Sequence, residues 1–180
     1  MCIRDRPFMV IATQNPIEME GTYPLPEAQR DRFMTRITMG YPSRDSELEM
    51  LERHGAHNPL DELYPVTHGE RITELIDVVG SVYVADVVKD YLVNIVAATR
   101  SHDAVRLGAS PRASLHLIRT ARAKAALAGR DYVIPDDVQA MAIPVLAHRL
   151  LPSTRAQLDG ISPVDIVSQI LTSTPVPEQV

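Results

Sequence analysis

The stretch Ala12-Thr13-Gln14-Asn15-Pro16, followed by Glu20-Gly21-Thr22-Tyr23-Pro24-Leu25-Pro26-Glu27-Ala28-Gln29-Arg30-Asp31-Arg32-Phe33, places a polar tip, a loop and a short helix behind an apolar run. That run, residues 8–12, is continuously apolar, which predicts a buried strand of a parallel sheet covered on both faces. Pro26 favours the first position of a helix, where its missing N–H has no partner to lose. Residues 36–39 predict a second short strand, closed by Gly40. Together these elements predict the end of an α/β domain.

Composition limits the classes of protein open to this chain of 180 residues. Its formal net charge of −5 gives no general attraction for nucleic acid or for an anionic membrane. The single cysteine, Cys2, excludes a framework of disulfides within the chain and indicates a reducing compartment, so we expect a cytoplasmic protein. No apolar run reaches the length of a membrane span. Residues 1–6 are too charged for the apolar core of a signal peptide, and we expect them to be non-native or disordered.

The pattern changes after residue 54, which marks the end of the predicted α/β part that begins at residue 7. Residues 55–70 combine Gly, His, Asn and Pro with little periodicity and predict a linker. Residues 71–173 then follow helical periodicity and predict a helical domain. Residues 174–180 contain two prolines and predict a disordered tail.

Capping signals locate the individual helices of this scheme. Ser43 is a typical N-cap for a helix that runs to about His54. Apolar residues at helical spacing between positions 87 and 96 predict another helix. Three further helices are predicted from Pro111 to a stop at Gly129, from Pro135, and from the start signal Ser162-Pro163-x-Asp165.

Asn15 lies at the carboxyl end of the predicted buried strand, the edge at which α/β sheets bind ligands. Its amide could orient a water molecule through the carbonyl oxygen or bind a phosphate through the NH₂ group. The alternative is an ordinary turn residue, because Asn-Pro dipeptides favour turns. The dipeptide alone favours the turn.

Arg32 stands at the end of the predicted short helix, between Asp31 and Phe33. An arginine in this position can reach across a subunit boundary and stabilise charge on a phosphoryl group in transfer. Its planar, permanently charged guanidinium suits that task better than a lysine would. The alternative is a surface salt bridge with Asp31 or Glu27.

Arg112 occurs in Gly108-Ala109-Ser110-Pro111-Arg112-Ala113, in the first turn of a predicted helix. A helix N-terminus favours anions, whereas a cation there is mildly unfavourable, so a phosphate contact would account for the residue. Plain solvent exposure is the alternative. Arg112, His116 and Arg119 also share one helical face, with Arg122 nearby, which could bind nucleic acid. The acidic net charge and the scarcity of aromatic residues argue against that interpretation.

Signals for other catalytic chemistry are weak. The six histidines show no metal-ligand spacing, since His54 and His57 have no third ligand nearby. No nucleophile-elbow motif occurs. No Gly-x-x-x-x-Gly-Lys-Ser/Thr phosphate loop occurs in the 180 residues either.

In their joint order, these motifs resemble the signature of the MoxR family of AAA+ ATPases. The resemblance covers about residues 7 to 152 and is carried by the segments 12–18, 20–29, 31–33, 40–42, 108–113, 131–133, 135–138 and 147–150. It implies an α/β remnant of a P-loop AAA+ core followed by an all-α helical lid domain.

The resemblance also implies a role for each candidate residue. Asn15 is similar to sensor 1, which helps to place the attacking water near the γ-phosphate. Arg32 is similar to the arginine finger, which is offered to ATP bound by the neighbouring subunit. Arg112 is similar to sensor 2, which couples the lid to nucleotide in its own or a neighbouring subunit. ATP and Mg²⁺ are the cofactors that the family implies.

The family further implies a ring, commonly a hexamer, that uses ATP hydrolysis to remodel or mature client proteins. Its typical partners resemble proteins with von Willebrand factor A domains.

Two features of this sequence depart from the family pattern. Arg30 stands where the family usually has an apolar residue, so Arg32 is not the only candidate finger. The phosphate loop and the acidic Mg²⁺-binding strand are expected before residue 7, so this chain alone should bind ATP poorly and hydrolyse none.

Three other interpretations stay open at this stage. The ATPase subunit of magnesium chelatase has a similar finger and lid, although the run from Glu20 to Gln29 favours MoxR. A helical interaction module without a catalytic role would account for the missing phosphate loop. A nucleic-acid motor or a clamp-loader relative would require a basic surface, which the sequence does not indicate.

Overall fold

The computed structural model describes residues 7–13, 25–53 and 62–177. Helices dominate these ranges, and the one regular sheet within them has two short strands. In chain order the elements are α1 (Glu27–Arg30), α2 (Arg44–Arg53), α3 (Gly69–Ser81), α4 (Asp86–Ser101), β1 (Val105–Leu107), α5 (Pro111–Leu127), α6 (Pro135–Leu146), a 3-10 helix (Ala147–Arg149), β2 (Leu151–Pro152), α7 (Thr154–Leu158) and α8 (Pro163–Ser173).

The hydrophobic core lies between α4, α5, α6 and α8. On α4 the buried side chains recur at intervals of three and four residues, which places them on one face of the helix. Fully buried side chains on the other three helices include Leu117, Leu146 and Ile166. The predicted helical pattern between positions 87 and 96 is therefore confirmed, although Val87 itself is exposed.

Several predicted helix boundaries are confirmed by their capping geometry. Ser43 Oγ accepts a hydrogen bond from Ser46 N at 3.2 Å before α2. Gly129 follows α5 with a φ of 73°, a left-handed conformation that suits glycine. Ser162 and Asp165 form the reciprocal hydrogen bonds of a capping box at α8. Pro26 is the N-cap of α1 rather than its first helical residue, a displacement of one position.

The two predicted strands are wrong for this chain. Residues 8–12 are exposed and form no strand, and residues 36–39 form none either. An extended segment becomes a strand only when a neighbouring strand supplies partners for its N–H and C=O groups. Within the described residues, the backbone N–H of Arg36 instead donates to Pro144 O of α6, at 2.9 Å. The predicted linker at 55–70 falls partly on residues 54–61, which lie outside the described residues.

A close approach of two backbones sets the start of α5. The connection from β1 to α5 runs over the last turn of α4, where Ala109 N donates to Thr99 Oγ1 at 3.0 Å. Arg100 Nε donates to Ala109 O at 2.8 Å. A Cβ atom added at Gly108 would lie 2.6 Å from Thr99 O and 2.7 Å from Arg100 Cα. Only glycine allows this approach, which positions the residues that open α5.

Gly108→Ala should therefore lower the free energy of unfolding by about 2–3 kcal/mol, the usual cost of overpacking against an immobile neighbour. Gly80→Ala is the matched control, because nothing lies within 4 Å of a Cβ at this position near the end of α3. There alanine should be neutral or stabilising by up to about 1 kcal/mol. Urea denaturation of both variants measures the difference, and equal stabilities would show that the close approach is not required.

Candidate functional site

The carboxylate of Asp31 joins the segment after α1 to the helical unit. Its Oδ1 accepts a hydrogen bond from Arg149 Nη1 at 2.6 Å, and its Oδ2 accepts one from Arg112 Nη1 at 3.1 Å. Ser110 Oγ lies 3.1 Å from each of the two oxygens and donates to them. One acidic side chain thus binds two arginines and the residue that precedes α5.

Arg149 is the buried member of this cluster, and all five of its N–H groups have acceptors. Nε donates to Val145 O at 2.6 Å, in the last turn of α6. Nη1 donates to both the carboxylate and the main-chain oxygen of Asp31, the latter at 2.7 Å. Nη2 donates to Phe33 O and to His116 Nδ1. Its planar fork therefore reads the backbone of residues 31–33 as well as the carboxylate.

Burial of this cation is tolerable because it is fully hydrogen-bonded. The Arg149 side chain is 1% exposed and that of Asp31 is 23% exposed. Desolvation lowers the pKa of Arg149, and the hydrogen bond and charge of Asp31 oppose that shift. A guanidinium stays charged in proteins even so, and a buried ion pair needs every remaining donor satisfied. The docking of residues 31–34 supplies those acceptors.

Two histidines complete the polar cluster. His116 Nδ1 lies 2.7 Å from Arg149 Nη2 and must be the acceptor, because a guanidinium has no acceptor to offer. Burial first, and then the charge of Arg149, lower the pKa of His116. His148 Nε2 lies 3.3 Å from Phe33 O, and burial is also the largest cause of its lowered pKa. Both rings are therefore neutral in the folded protein near pH 7.

Helix α5 begins at an anion. Ser110 occupies the N-cap position, but its side chain accepts no hydrogen bond from the helix and donates to Asp31 instead. Pro111 stands at the first helical position, where no N–H is needed. The Asp31 carboxylate thus lies at the positive end of a long helix, beside Arg112, where an anionic ligand would be stabilised for the same reasons.

The structure places the three predicted site residues unequally. Asn15 lies outside the described residues. Arg32 is exposed, and its side chain makes no hydrogen bond or ion pair to any residue that the structure describes. The salt bridge to Asp31 that was the alternative for Arg32 is absent within those ranges, since Asp31 pairs with Arg112 and Arg149. Arg112 has a half-exposed side chain, at 47%.

The suggested basic stripe on α5 is not a continuous surface, because His116 is buried against Arg149. Arg30, the second candidate finger, has a partly buried side chain whose Nε has no partner among the described residues. Arg30 and Arg32 are thus in different environments, although they are two residues apart.

Sequence reasoning missed the roles of Asp31 and Arg149. The sequence singles out Arg149 as part of the segment 147–150 that resembles a lid motif, and Asp31 as part of the segment 31–33 and as a possible salt-bridge partner of Arg32. No local pattern identifies them as partners, because they are 118 residues apart. The sequence signal is weak: Arg149 follows the apolar helix that begins at Pro135 and has no acidic neighbour in sequence, while its burial is known from the structure alone.

Two models of known protein families match this chain, one at its N-terminal segment and one in the helical unit. Residues 3–35 match the family model described as "ATPase family associated with various cellular activities (AAA)". Residues 97–170 match the model described as "AAA lid domain". The class is therefore that of AAA+ proteins, and the predicted fold class, the end of an AAA+ core followed by a helical lid, is confirmed.

Individual relatives narrow the class. The chain is 47% identical to the uncharacterised protein YeaC of Bacillus subtilis (96% of this chain, 54% of that one). It is 42% identical to the Chaperone MoxR1 of Mycobacterium tuberculosis (96% of this chain, 48% of that one). A crystal structure of an ATPase candidate from Cytophaga hutchinsonii superposes with a TM-score of 0.88 at 36% identity, covering 97% of this chain and 56% of that one.

This chain belongs to the MoxR family of AAA+ ATPases. It spans about half the length of the curated relatives that it matches. Among the described residues, no helix combines the length and apolar character needed to cross a bilayer.

Asp31→Ala should undock the segment after α1, because it leaves the buried charge of Arg149 without its carboxylate. Removing one partner of a buried ion pair costs roughly 3 kcal/mol or more. The amide of Arg36, which donates to Pro144 O, reports docking directly. Its hydrogen exchange, followed by NMR, should become on the order of a hundredfold faster.

Glu74→Ala provides the control. Glu74 pairs with Arg71 at 2.6 Å, but both side chains are about 60% exposed. Such a pair contributes at most about 1 kcal/mol, and its loss should leave the exchange of the Arg36 amide unchanged. Equal exchange in Asp31→Ala and wild type would mean that the ion pair does not hold the segment.

Acid should destabilise the folded chain through His116. The ordinary histidine pKa is 6.5, and the pKa of folded His116 is lower. Below about pH 6.5 the unfolded state therefore binds a proton that the folded state excludes, and the free energy of unfolding falls by up to about 1.4 kcal/mol per pH unit. Above that range His116 contributes no pH dependence.

His116→Gln keeps an acceptor for Arg149 but cannot titrate. Urea denaturation between pH 7.5 and 5 should give a shallower loss of stability for this variant than for wild type, with the remaining slope from His148. Parallel curves for the two proteins would exclude His116 as the source.

Proposed function

We propose that the complete protein containing this chain hydrolyses ATP in an oligomeric ring and uses the energy to remodel or mature client proteins. In this proposal the chain supplies sensor 1, the arginine finger, sensor 2 and the lid. Family membership supports the proposal, and one observation carries it for these residues. Asp31, the residue before the candidate finger, is bound by Arg112, the candidate sensor 2.

The proposed role of Arg32 is to stabilise charge on the phosphoryl group held by a neighbouring subunit. Its exposure supports this, because a finger must be free to reach across an interface. Its main-chain position supports it as well, since Asp31 on one side and Phe33 on the other are both hydrogen-bonded by Arg149. A fixed main chain at residues 31–33 reduces the number of positions that the Arg32 guanidinium can take, and so favours its placement at the phosphoryl group.

The proposed role of Arg112 is to bind the phosphates of the nucleotide and to report them to the lid. It projects from the first turn of α5, a helix that is packed into the lid core against α4 and α6. A phosphate bound to its guanidinium would therefore pull on α5 and on the lid helices packed against it. Asn15 would orient the attacking water, as the MoxR resemblance implies.

The described residues fit one part of the implied nucleotide. The start of α5, with Ser110 and Arg112, already holds a carboxylate and so has the chemistry to bind a phosphate oxygen. Bound ATP would supply the phosphoanhydride that is cleaved. The MoxR resemblance implies Mg²⁺ as well; within the described ranges no three His, Cys, Asp or Glu side chains meet to hold a metal ion.

The finer features of the proposal follow the MoxR resemblance. A ring, with six subunits as the expected number, would place Arg32 of one subunit at the nucleotide of the next. Proteins with von Willebrand factor A domains are the expected partners, and the single cysteine favours the reducing cytoplasm as the compartment.

Arg32→Ala in the complete protein should lower kcat for ATP about a thousandfold, while ATP binding is largely retained, because a finger acts on the transition state. Steady-state turnover and the Kd of a fluorescent ATP analogue measure the two effects. Wild-type turnover per subunit should rise with protein concentration, because the active sites are shared between subunits.

Two further variants make the assignment specific. Arg30→Ala tests the other candidate finger and should leave most of the activity. Arg155→Ala removes an arginine whose side chain is 93% exposed on α7, and it should have no effect. If Arg30→Ala abolishes turnover and Arg32→Ala does not, Arg30 is the finger; no turnover by the wild-type complete protein at any concentration would exclude the ATPase proposal.

A further inference from the structure

The two oxygens of Asp31 have partners of very different strength. Oδ1 binds Arg149, whose side chain is buried, at 2.6 Å. Oδ2 binds Arg112, whose side chain is half-exposed, through one nitrogen at 3.1 Å. The first contact is made by a buried guanidinium whose five N–H groups all have acceptors, whereas Arg112 contributes a single exposed hydrogen bond. Exposed pairs of this kind contribute little to stability and are easily exchanged.

The Asp31 carboxylate also changes the hydrogen bonding of Ser110. A serine at the N-cap usually accepts a hydrogen bond from the first turn of its helix, but Ser110 turns its hydroxyl to Asp31. The carboxylate therefore accepts hydrogen bonds from both the Ser110 hydroxyl and the Arg112 guanidinium at the start of α5. These groups are the ones that a phosphate oxygen would engage.

We infer that Asp31 is a positioning residue that occupies the phosphate-binding groups of Arg112 and Ser110 until nucleotide displaces it. The inference rests on the proposed role of Arg112 in nucleotide binding. A phosphate carries more charge and more acceptor oxygens than the outer oxygen of Asp31, so it competes well for Arg112. Oδ1 keeps its bond to Arg149 during the exchange, and the segment after α1 stays docked.

The exchange links the two functional arginines without any large movement. Arg32 follows Asp31 directly, so a change in the partners of the carboxylate acts on the main chain that bears the finger. When Arg112 binds phosphate, Oδ2 loses a cation while Oδ1 and the main-chain oxygen of Asp31 stay on Arg149. Nucleotide binding at the sensor is thereby transmitted to the base of the finger.

The test is a double-mutant cycle on ATP affinity in the complete protein. Asp31→Asn can keep its carbonyl oxygen on Arg149 while its NH₂ group faces Arg112, which abolishes the restraint. It should lower the Kd of a fluorescent ATP analogue two- to fivefold. Arg112→Ala should raise that Kd. In the Arg112→Ala background, Asp31→Asn should have no further effect, because no restrained arginine is left to release.

Each result of the cycle decides one question. If Arg112→Ala leaves the Kd unchanged, Arg112 does not sense nucleotide, and the restraint falls with that role. If Arg112→Ala weakens binding but Asp31→Asn leaves the Kd unchanged or raises it, the restraint alone is overturned. An equal effect of Asp31→Asn with and without Arg112 would assign Asp31 a general structural role instead.

A measurement on the wild-type complete protein supplies a second route if Asp31→Asn disturbs docking, which faster exchange of the Arg36 amide would reveal. The ¹³C NMR signal of the Asp31 carboxylate should shift on titration with the ATP analogue, because Oδ2 loses Arg112. The shift should be absent in Arg112→Ala. A carboxylate signal that stays unchanged at a saturating concentration of the analogue would overturn the restraint.

Discussion

Within the described residues, the buried guanidinium of Arg149 fixes the positions of the groups around it, because each of its five N–H groups needs an acceptor. Arg149 lies in a 3-10 turn at the end of α6, with its side chain almost wholly out of solvent. A buried cation without acceptors is too costly to keep, so acceptors must come to it. Its own helix provides one and His116 another, while Asp31 and Phe33 provide the others. The segment after α1 therefore docks on the lid because it supplies acceptors for the N–H groups of Arg149.

The same requirement brings Asp31 to the start of α5, beside Ser110 and Arg112. Gly108 lets the chain approach the end of α4, which places Ser110 and Arg112 at the start of α5. Asp31 reaches that point because Arg149 holds it there. Gly108 thus positions the start of α5, and Arg149 positions Asp31 beside it. Neither residue touches a nucleotide in the proposed mechanism, yet both set the geometry of those that would.

In the proposed function, ATP hydrolysis in the complete protein moves the lid. The coupling of nucleotide to lid would use very few contacts. The carboxylate of Asp31 has a buried partner in Arg149 and a half-exposed one in Arg112, so in the proposed mechanism the lid would sense an anion without releasing the segment that bears Arg32. The neutral state of the two buried histidines preserves this arrangement near pH 7.

Sequence by itself determined the helices and their ends, because periodicity, caps and glycine stops are local; α4, α5 and α8 formed as predicted. The order of motifs also made Arg32, Arg112 and Asn15 the candidate site residues; their roles stay predictions, and Asn15 lies outside the described residues. Sequence alone failed for the strands at 8–12 and 36–39, since a strand depends on partners that local sequence does not contain. Only the tertiary structure decided that Asp31 pairs with Arg149, because 118 residues separate them and burial alone makes the ion pair obligatory.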